Sequence, residues 1–300
     1  MAVPQPGIFA IGTTSHAYLE FDVLPGVEPA AAVAAASGLR EPRTTIGGVN
    51  LVAGFRPELW ASVAPQLAPA AVDGFNAAVV GPDGYSLPAT QHDMVMWLTG
   101  SSYDVVFDVS RGIVVALSER ARLTHEMVGW PYHHDRDLTG FIDGTANPTL
   151  VEATTTAIIP AGKSGEGGSI LLLQQWSHDV AAWEGLSVAA QEQVMGRRKS
   201  DSKELAPNPP TSHVGRTDQD RLGSIFRRNI GYGTVSDHGT VFVGFCADQR
   251  PLVKMLEAMV GLDGGGRDDL TRFTTALSGA YYFIPAADCL GQVASLPLTP

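Results

Sequence analysis

Cysteine is nearly absent. The 300-residue chain has two, Cys246 and Cys289, with no C-x-x-C between them, which excludes a cysteine zinc cage and fits a reducing compartment. Charge is also scarce, at 17% of residues against 44% hydrophobic, a globular composition and not a disordered one. Positive charge is the rarer sign: 20 Lys and Arg face 31 Asp and Glu, for a formal net charge of -11. Nucleic acid and anionic membranes both need a basic footprint, so neither is expected as a partner; a small molecule or another protein is. No Lys or Arg precedes Arg40, so the chain starts without the basic region of a secretory signal or a twin-arginine pair, and a cytoplasmic location is expected. Long apolar runs are missing too. "SILLL", "VFVGF" and "GIVVAL" fall far short of the ~20 residues that span a bilayer and read as buried segments.

Several common chemistries fail on their motifs. Gly162-Lys163-Ser164 resembles the end of a phosphate loop, but Ala157 stands where the first glycine belongs. "LDGGGRDD" lacks the alternating oxygen ligands and final Glu of a calcium loop, and no G-x-S-x-G elbow of a serine hydrolase occurs. Neighbouring His133 and His134 would point to opposite sides of a strand, so "YHHDRD" does not converge on one ion.

What is present is a mixture of strands and helices that runs twice. In the first half, β-rich "GIFAIGTTSHAYLEFDV" precedes an Ala-rich helix in "PGVEPAAAVAAASGL" and a strand in "TIGGVNLVAGF". A helical stretch broken by glycines is expected over residues 94–120, and "ARLTHEMVGW" closes the half as a strand. The second half repeats the order with "GGSILLLQQWSHDV", "SVAAQEQVMG", "GTVFVGFCAD", "PLVKMLEAMVGL" and "GAYYFIP". The elements lack the regular alternation of a doubly wound fold, so two related α+β units packed sheet to sheet are expected, divided near residues 147–155. Residues 196–220 form a polar, Pro-rich loop, and loops of that length inside a domain are often functional.

Two features carry possible chemistry. "GFIDGTANP" (140–148) places Asp143 between an apolar pair and a Gly-Thr turn, where an ordinary Asp-Gly turn is the simpler reading. His213, in "PPTSHVGR", ends the long loop, while the other histidines read as surface or core residues. Together, "GFIDGTANP", "GRRK" (196–199), "TSHVGR" (211–216), "IFRRNIGYG" (225–233) and "RDDLTRFTTALSGAYYFIP" (267–285) resemble the dye-decolorizing peroxidase family, most closely its compact B-type branch, in order and spacing. The resemblance covers essentially the whole chain.

The resemblance implies two ferredoxin-like units with antiparallel sheets, residues 1–150 and 151–300, with haem b held mainly by the second. The haem would be non-covalent, since no C-x-x-C-H is present. His213 would be the iron ligand, and Asp268, or Asp269 one residue on, would hold its other nitrogen. Asp143 and Arg227 would be the distal pair that moves a proton and stabilises charge as peroxide is cleaved to a ferryl intermediate. Asn229 would face the same pocket, with a turn Asn as its simpler reading. Arg197 would hold a propionate beside solvated Arg198, and Gly144 and Thr145 would approach the cofactor. The family activity is reduction of hydrogen peroxide with oxidation of organic reductants such as dyes and phenols; the rival is a haem-handling protein with incidental peroxidase activity. Association into homo-oligomers follows from the resemblance. Some relatives are packaged in encapsulin shells through a C-terminal tail, but "GQVASLPLTP" carries no recognised targeting peptide. Trp97, Trp176, Trp183 and Tyr281 read as core rings before electron relays.

Overall fold

A computed structural model of the chain describes residues 2–40, 48–133 and 135–296. The start of "TIGGVNLVAGF", His134 of "YHHDRD" and the last four residues of the C-terminal tail lie outside them. The first half runs β1 (Ser15–Val23), α1 (Pro29–Ser37), β2 (Val49–Phe55), α2 (Pro57–Val63), a small hairpin of β3 (Val79–Val80) and β4 (Ser86–Leu87), β5 (Met94–Gly100), α3 (Tyr103–Leu117) and β6 (Ala121–Trp130). The second half runs α4 (Leu150–Ala157), β7 (Ser169–His178), α5 (Val180–Glu184), α6 (Val188–Met195), α7 (His213–Arg216) and α8 (Gln219–Leu222). It continues with β8 (Phe226–Arg227), β9 (Ile230–Gly233), β10 (His238–Cys246), α9 (Gln249–Met259), β11 (Thr274–Ala276), β12 (Ala280–Ile284) and α10 (Ala287–Ala294).

The expected α+β architecture with antiparallel sheets is what the chain adopts. One sheet has the order β2-β5-β1-β6 and the other β9-β10-β7-β12. Their edges meet through Phe55↔Phe283 on one side and through Gly129↔Tyr232 and Trp130↔Gly231 on the other, closing a ring of eight strands. Side chains alternate along each strand, so every strand has an inward and an outward set. The inward set of both sheets forms one buried cluster that includes Tyr18, Val52, Trp97, Leu171, Val243, Phe245 and Tyr282. Trp97 stacks on Tyr18 at 5.8 Å and on Phe245 at 5.7 Å between ring centroids, so one indole joins the two sheets across the interior. Trp176, Trp183 and Tyr281 are buried as well.

One element differs in type from the sequence expectation. Met94–Gly100 is not helical but is the strand between β1 and β2, buried along its whole length. A strand covered on both faces is apolar at every position, which removes the alternation that distinguishes it from a buried helix. The helix begins only at Tyr103 and continues through Gly112 without a break. Gly231 lies in β9 and pairs on both sides, with Trp130 and Thr240.

The closing seams are short, so packing must hold them. Trp60 of α2 is fully buried, with its ring 4.9 Å from that of Phe55 and 5.8 Å from that of Phe283, the single pair at the β2–β12 seam. Glu20, Tyr282, His125 and Gln175 form one chain of polar contacts. Glu20, 1% exposed, accepts from the Tyr282 hydroxyl at 2.5 Å and from His125 Nδ1 at 2.7 Å, while His125 Nε2 meets Gln175 Oε1 at 3.1 Å. The hydrogen bond to Glu20 raises the His125 pKa above its usual value despite partial burial.

Removing the seam indole in Trp60→Ala should cost about 3–5 kcal/mol of stability, read by urea titration. Because the folded-state pKa of His125 is raised, its contribution is full below about pH 6.5 and is lost as pH rises through the folded value. The stability gap between wild type and His125→Gln should therefore be larger at about pH 5.5 than at about pH 8.5; equal gaps would refute the linkage.

Candidate active site

A cavity of about 970 Å³ opens on the outer face of the second sheet. Its floor is the outward set of β7, including Leu172, Gln174, Trp176 and His178, with Thr240 and Phe242 of β10 beside them. Helix α9 contributes Leu252, Met255, Leu256 and Met259. Residues from the 137–148 loop, from the long loop after α6 and from α7 complete the wall. The Arg227 Nε and Gln174 Nε2 donors are buried here without a hydrogen-bond partner among the described residues, an arrangement that a bound group would relieve.

His213 is the first residue of α7. Buried Ser212 caps that turn, accepting from Gly215 N–H at 3.1 Å and donating to Asn208 Oδ1 at 2.7 Å. His213 Nδ1 lies 2.7 Å from Asp268 Oδ2, and the Asp268 side chain has no exposed surface. Asp268 in turn caps the next turn, accepting from Leu270 N–H at 2.9 Å, so each oxygen has a partner. Asp269, the one-residue alternative, instead accepts from the Thr211 hydroxyl at 2.7 Å and does not meet the histidine. With Nδ1 engaged, Nε2 is the ring nitrogen left to the cavity that His213 lines.

Arg216, at the end of α7, was not singled out from the sequence. It is 4% exposed, donates Nε and Nη2 to the Ala258 carbonyl at 3.0 and 2.8 Å, and pairs with Asp263. Burial would raise the Asp263 pKa, but the Gly265 N–H and the two guanidinium groups of Arg216 and Arg221 outweigh it and hold the carboxyl below its usual value. Gly265 must stay small, because an added Cβ would lie 2.0 Å from Arg216 Nη1. These contacts tie the end of α7 to the end of α9.

Asp143 and Arg227 come from opposite halves of the sequence motif set and meet in the cavity wall. Arg227 Nη2 lies 4.0 Å from Asp143 Oδ1, with the two side chains 15% and 24% exposed. Asp143 Oδ1 also accepts from Gly144 N–H at 2.7 Å. Gly144 has φ +74°, a conformation that glycine adopts freely, and its Cβ position lies 3.0 Å from Asn147 Nδ2. Asn147 does the joining. Its Oδ1 accepts from Arg227 N–H and its Nδ2 donates to the Arg227 carbonyl, both at 2.9 Å, so one amide fastens the 140–148 turn to β8 as a strand neighbour would. Thr145 lines the cavity from an exposed position.

Asn229 lies in the wall too, with a structural duty: its Oδ1 accepts from Val243 N–H at 3.0 Å, filling a gap in the ladder between β8 and β9. Its amide NH₂ is the part available to the cavity. Arg197 lines the cavity with its guanidinium on the Ser202 carbonyl at 2.9 Å and on Glu204 Oε1 at 2.6 Å, whereas Arg198 pairs with Asp201 at 2.6 Å near solvent. A smaller cavity of about 420 Å³ lies on the other side of the Asp143–Arg227 pair, and Asn147 and Asn229 border both spaces. The larger space holds a second cluster that the sequence did not signal: Thr240 Oγ1 donates to Asp137 Oδ2 and meets His178 Nε2 at 3.1 Å. Burial lowers the His178 pKa below its usual value.

Residues 134–289 match the family model described as Dyp-type peroxidase, C-terminal. A dye-decolorizing peroxidase of Brevibacterium linens is 32% identical over 81% of this chain and 68% of its own length. One of Mycolicibacterium paratuberculosis is 32% identical over 87% of this chain and 75% of its own. Among solved structures, a Dyp-type peroxidase protein from Shewanella oneidensis superposes with a TM-score of 0.87 at 28% identity, covering 97% of this chain and 99% of that one. A variant of DypB from Rhodococcus jostii RHA1 in complex with heme superposes with a TM-score of 0.86 at 30% identity, covering 95% and 96%.

Asn147→Ala would leave the Arg227 N–H and carbonyl without their partner and should destabilise the fold by about 1–3 kcal/mol in a denaturant titration. Thr145→Ala, in the same turn but exposed, should stay within about 0.5 kcal/mol.

Proposed function

The chain belongs to the Dyp-type peroxidase family, and we propose that it is a haem b peroxidase whose His213, Asp143 and Arg227 perform the roles that the cavity geometry allows. The residues present fit a non-covalent haem. The cavity is large and mostly apolar, one histidine nitrogen is left free while the other is fixed, and a buried guanidinium nitrogen lacks a partner. Haem, when bound, supplies the iron at which peroxide is reduced and the oxidising equivalents that pass to an organic reductant.

The protein's part is binding, orientation and proton movement. His213 Nε2 would ligate the iron, with Asp268 fixing the tautomer and making the imidazole a stronger donor. Arg197 would turn from Glu204 toward a propionate, a planar fork meeting a carboxylate. At the other wall, the Asp143 carboxyl group would carry a proton between the two oxygens of peroxide, the bound haem supplying the electrons that reduce it to water. Arg227 holds the negative charge that grows on the leaving oxygen, and the Asn147 clamp preorganises it for that task. Asn229 would orient the peroxide through its amide NH₂, and the Gly144–Thr145 turn would approach the macrocycle edge. The smaller cavity, about 420 Å³, reaches the same pair.

The observation that carries the reading is the joint presence of a carboxylate-anchored histidine and the Asp143–Arg227 pair in one cavity. A haem-handling protein would need the first and not the second. Phenols and dyes are the reductant class inferred, and the net charge of -11 favours cationic or neutral ones at low salt. The units would divide at residues 150 and 151. The B-type branch is supported by the likeness to DypB, a cytoplasmic setting by the free thiols Cys246 and Cys289, and association into homo-oligomers by an exposed face treated below. Among the described residues, no helix is long and apolar enough to cross a membrane.

The test is a visible spectrum of haem-loaded wild type, His213→Ala and Arg227→Leu before and after one equivalent of peroxide. Wild type should show a Soret band that shifts with peroxide, and His213→Ala should lose or displace the band. Arg227→Leu should keep the resting band while its rate with peroxide falls about 10²–10³-fold. A His213→Ala spectrum identical to wild type would sink the ligand assignment, and an unchanged Arg227→Leu rate would sink the distal one.

A further inference from the structure

Helix α3 turns Val106, Ser110, Ile113 and Leu117 inward, which leaves its opposite face to be explained. That face has two different ends. The N-terminal half carries Tyr103 and Phe107, 58% and 47% exposed with rings 6.1 Å apart, and the acids Asp104 and Asp108. The C-terminal half carries Arg111, Gly112, Val115 and Ala116, all exposed. Bulk and negative charge therefore sit at one end, small side chains and positive charge at the other.

Gly112 has no reason within the protomer. It stands in the interior of a 15-residue helix, where glycine is the poorest former except proline, and an added Cβ would meet nothing within 4 Å. Asp108 and Arg111 also have no ion-pair partner among the described residues. Both facts call for something outside the protomer that approaches the helix closely and carries complementary charge.

We infer that this face is a two-fold interface on which α3 packs antiparallel against α3 of a second copy of the chain. Residues spaced four apart form ridges, one of Tyr103, Phe107, Arg111 and Val115 and the next of Asp104, Asp108, Gly112 and Ala116, and ridges of this kind interlock in the commonest class of helix packing. A two-fold axis passing between Val109 and Ser110 sets Phe107 in the notch over the second copy's Gly112 and Tyr103 over its Ala116. The same axis sets Asp108 beside the opposing Arg111, and every contact occurs twice, as an isologous interface requires. A parallel pairing would place acid on acid and ring on ring. The pattern thus selects one orientation and one occupant, the chain itself.

The test is sedimentation equilibrium of the haem-loaded full chain with four variants. Wild type should dimerise. Asp108→Arg and Arg111→Asp should each raise the dimer Kd about tenfold or more, and the double variant Asp108→Arg with Arg111→Asp should recover most of the loss, because the swapped charges meet again. Gly112→Leu should weaken the dimer by closing the notch. Circular dichroism and peroxide turnover of each variant should match wild type, since these side chains are exposed and far in sequence from the cavity residues. A chain that stays monomeric at about 100 µM, well above a micromolar Kd, would overturn the proposal. So would dimers or larger assemblies whose Kd ignores all four variants, or single-variant losses that the double variant does not recover.

Discussion

The bond between His213 Nδ1 and Asp268 is the constraint around which the second half of the molecule is arranged. A carboxyl group with no exposed surface is costly to bury unless its oxygens are hydrogen-bonded, and Asp268 engages one with the imidazole and one with the Leu270 N–H. Both partners lie on short turns that could not hold a position alone. A helix of four residues such as α7 has almost no cooperative stability, so its place is set by what it is tied to. Ser212 caps its start, Arg216 ties its end to the Ala258 carbonyl and Asp263, and Thr211 bonds Asp269 beside the carboxylate. The result is an imidazole with one free nitrogen and no freedom to turn.

The opposite wall solves the same problem with less charge. The 135–148 segment has little regular structure, yet it must present Asp143 to Arg227. It does so through local bonds: Arg136 to the Gly140 carbonyl at 2.8 Å, Trp183 Nε1 to the Thr139 carbonyl at 3.1 Å, and the Phe141 ring packed at the edge of Trp183. The Asn147 amide then reads both backbone groups of Arg227. Two neutral hydrogen bonds to a strand fix a turn more rigidly than the 4.0 Å ion pair beside it, which at that length and partial exposure contributes little to stability. The ion pair is therefore not what holds this turn.

How much of this could be read from the sequence depends on whether the signal was local. Strands β1, β6, β7, β10 and β12 are legible because apolar runs end at turn residues, and α9 because its apolar residues recur at helical spacing. Met94–Gly100 is not, since burial on both faces erases period. Barrel closure leaves no trace either: the seams rest on three residue pairs, and the plug that supports one of them is Trp60, an unremarkable aromatic in a short helix. In the cavity, His213, Asp268, Asp143 and Arg227 were found as motif residues and the fold brings them to one space. Asn147 was passed over because Asn before Pro reads as a turn, and its work is done on a backbone 80 residues away. Arg216 was passed over for the same reason, its partners lying 42 and 47 residues on.

The barrel also explains why two similar halves carry unequal loads. Both sheets have an inner face filled by side chains, so neither can open there without losing the stacked core around Trp97. A cavity must therefore form on an outer face. Helices α1 and α3 pack on the outer face of the first sheet, with short connections that leave no room beneath them. On the second sheet, the chain between α6 and β8 instead arches away from β7 and β10 and returns through α7, so the outward residues Gln174, Trp176 and Phe242 face a space and not a helix. The long polar loop, read in the sequence as a functional one, lines that space. The first half then contributes what the second lacks, an edge for β9 and the turn bearing Asp143, so that the site is complete only when the ring of strands is closed.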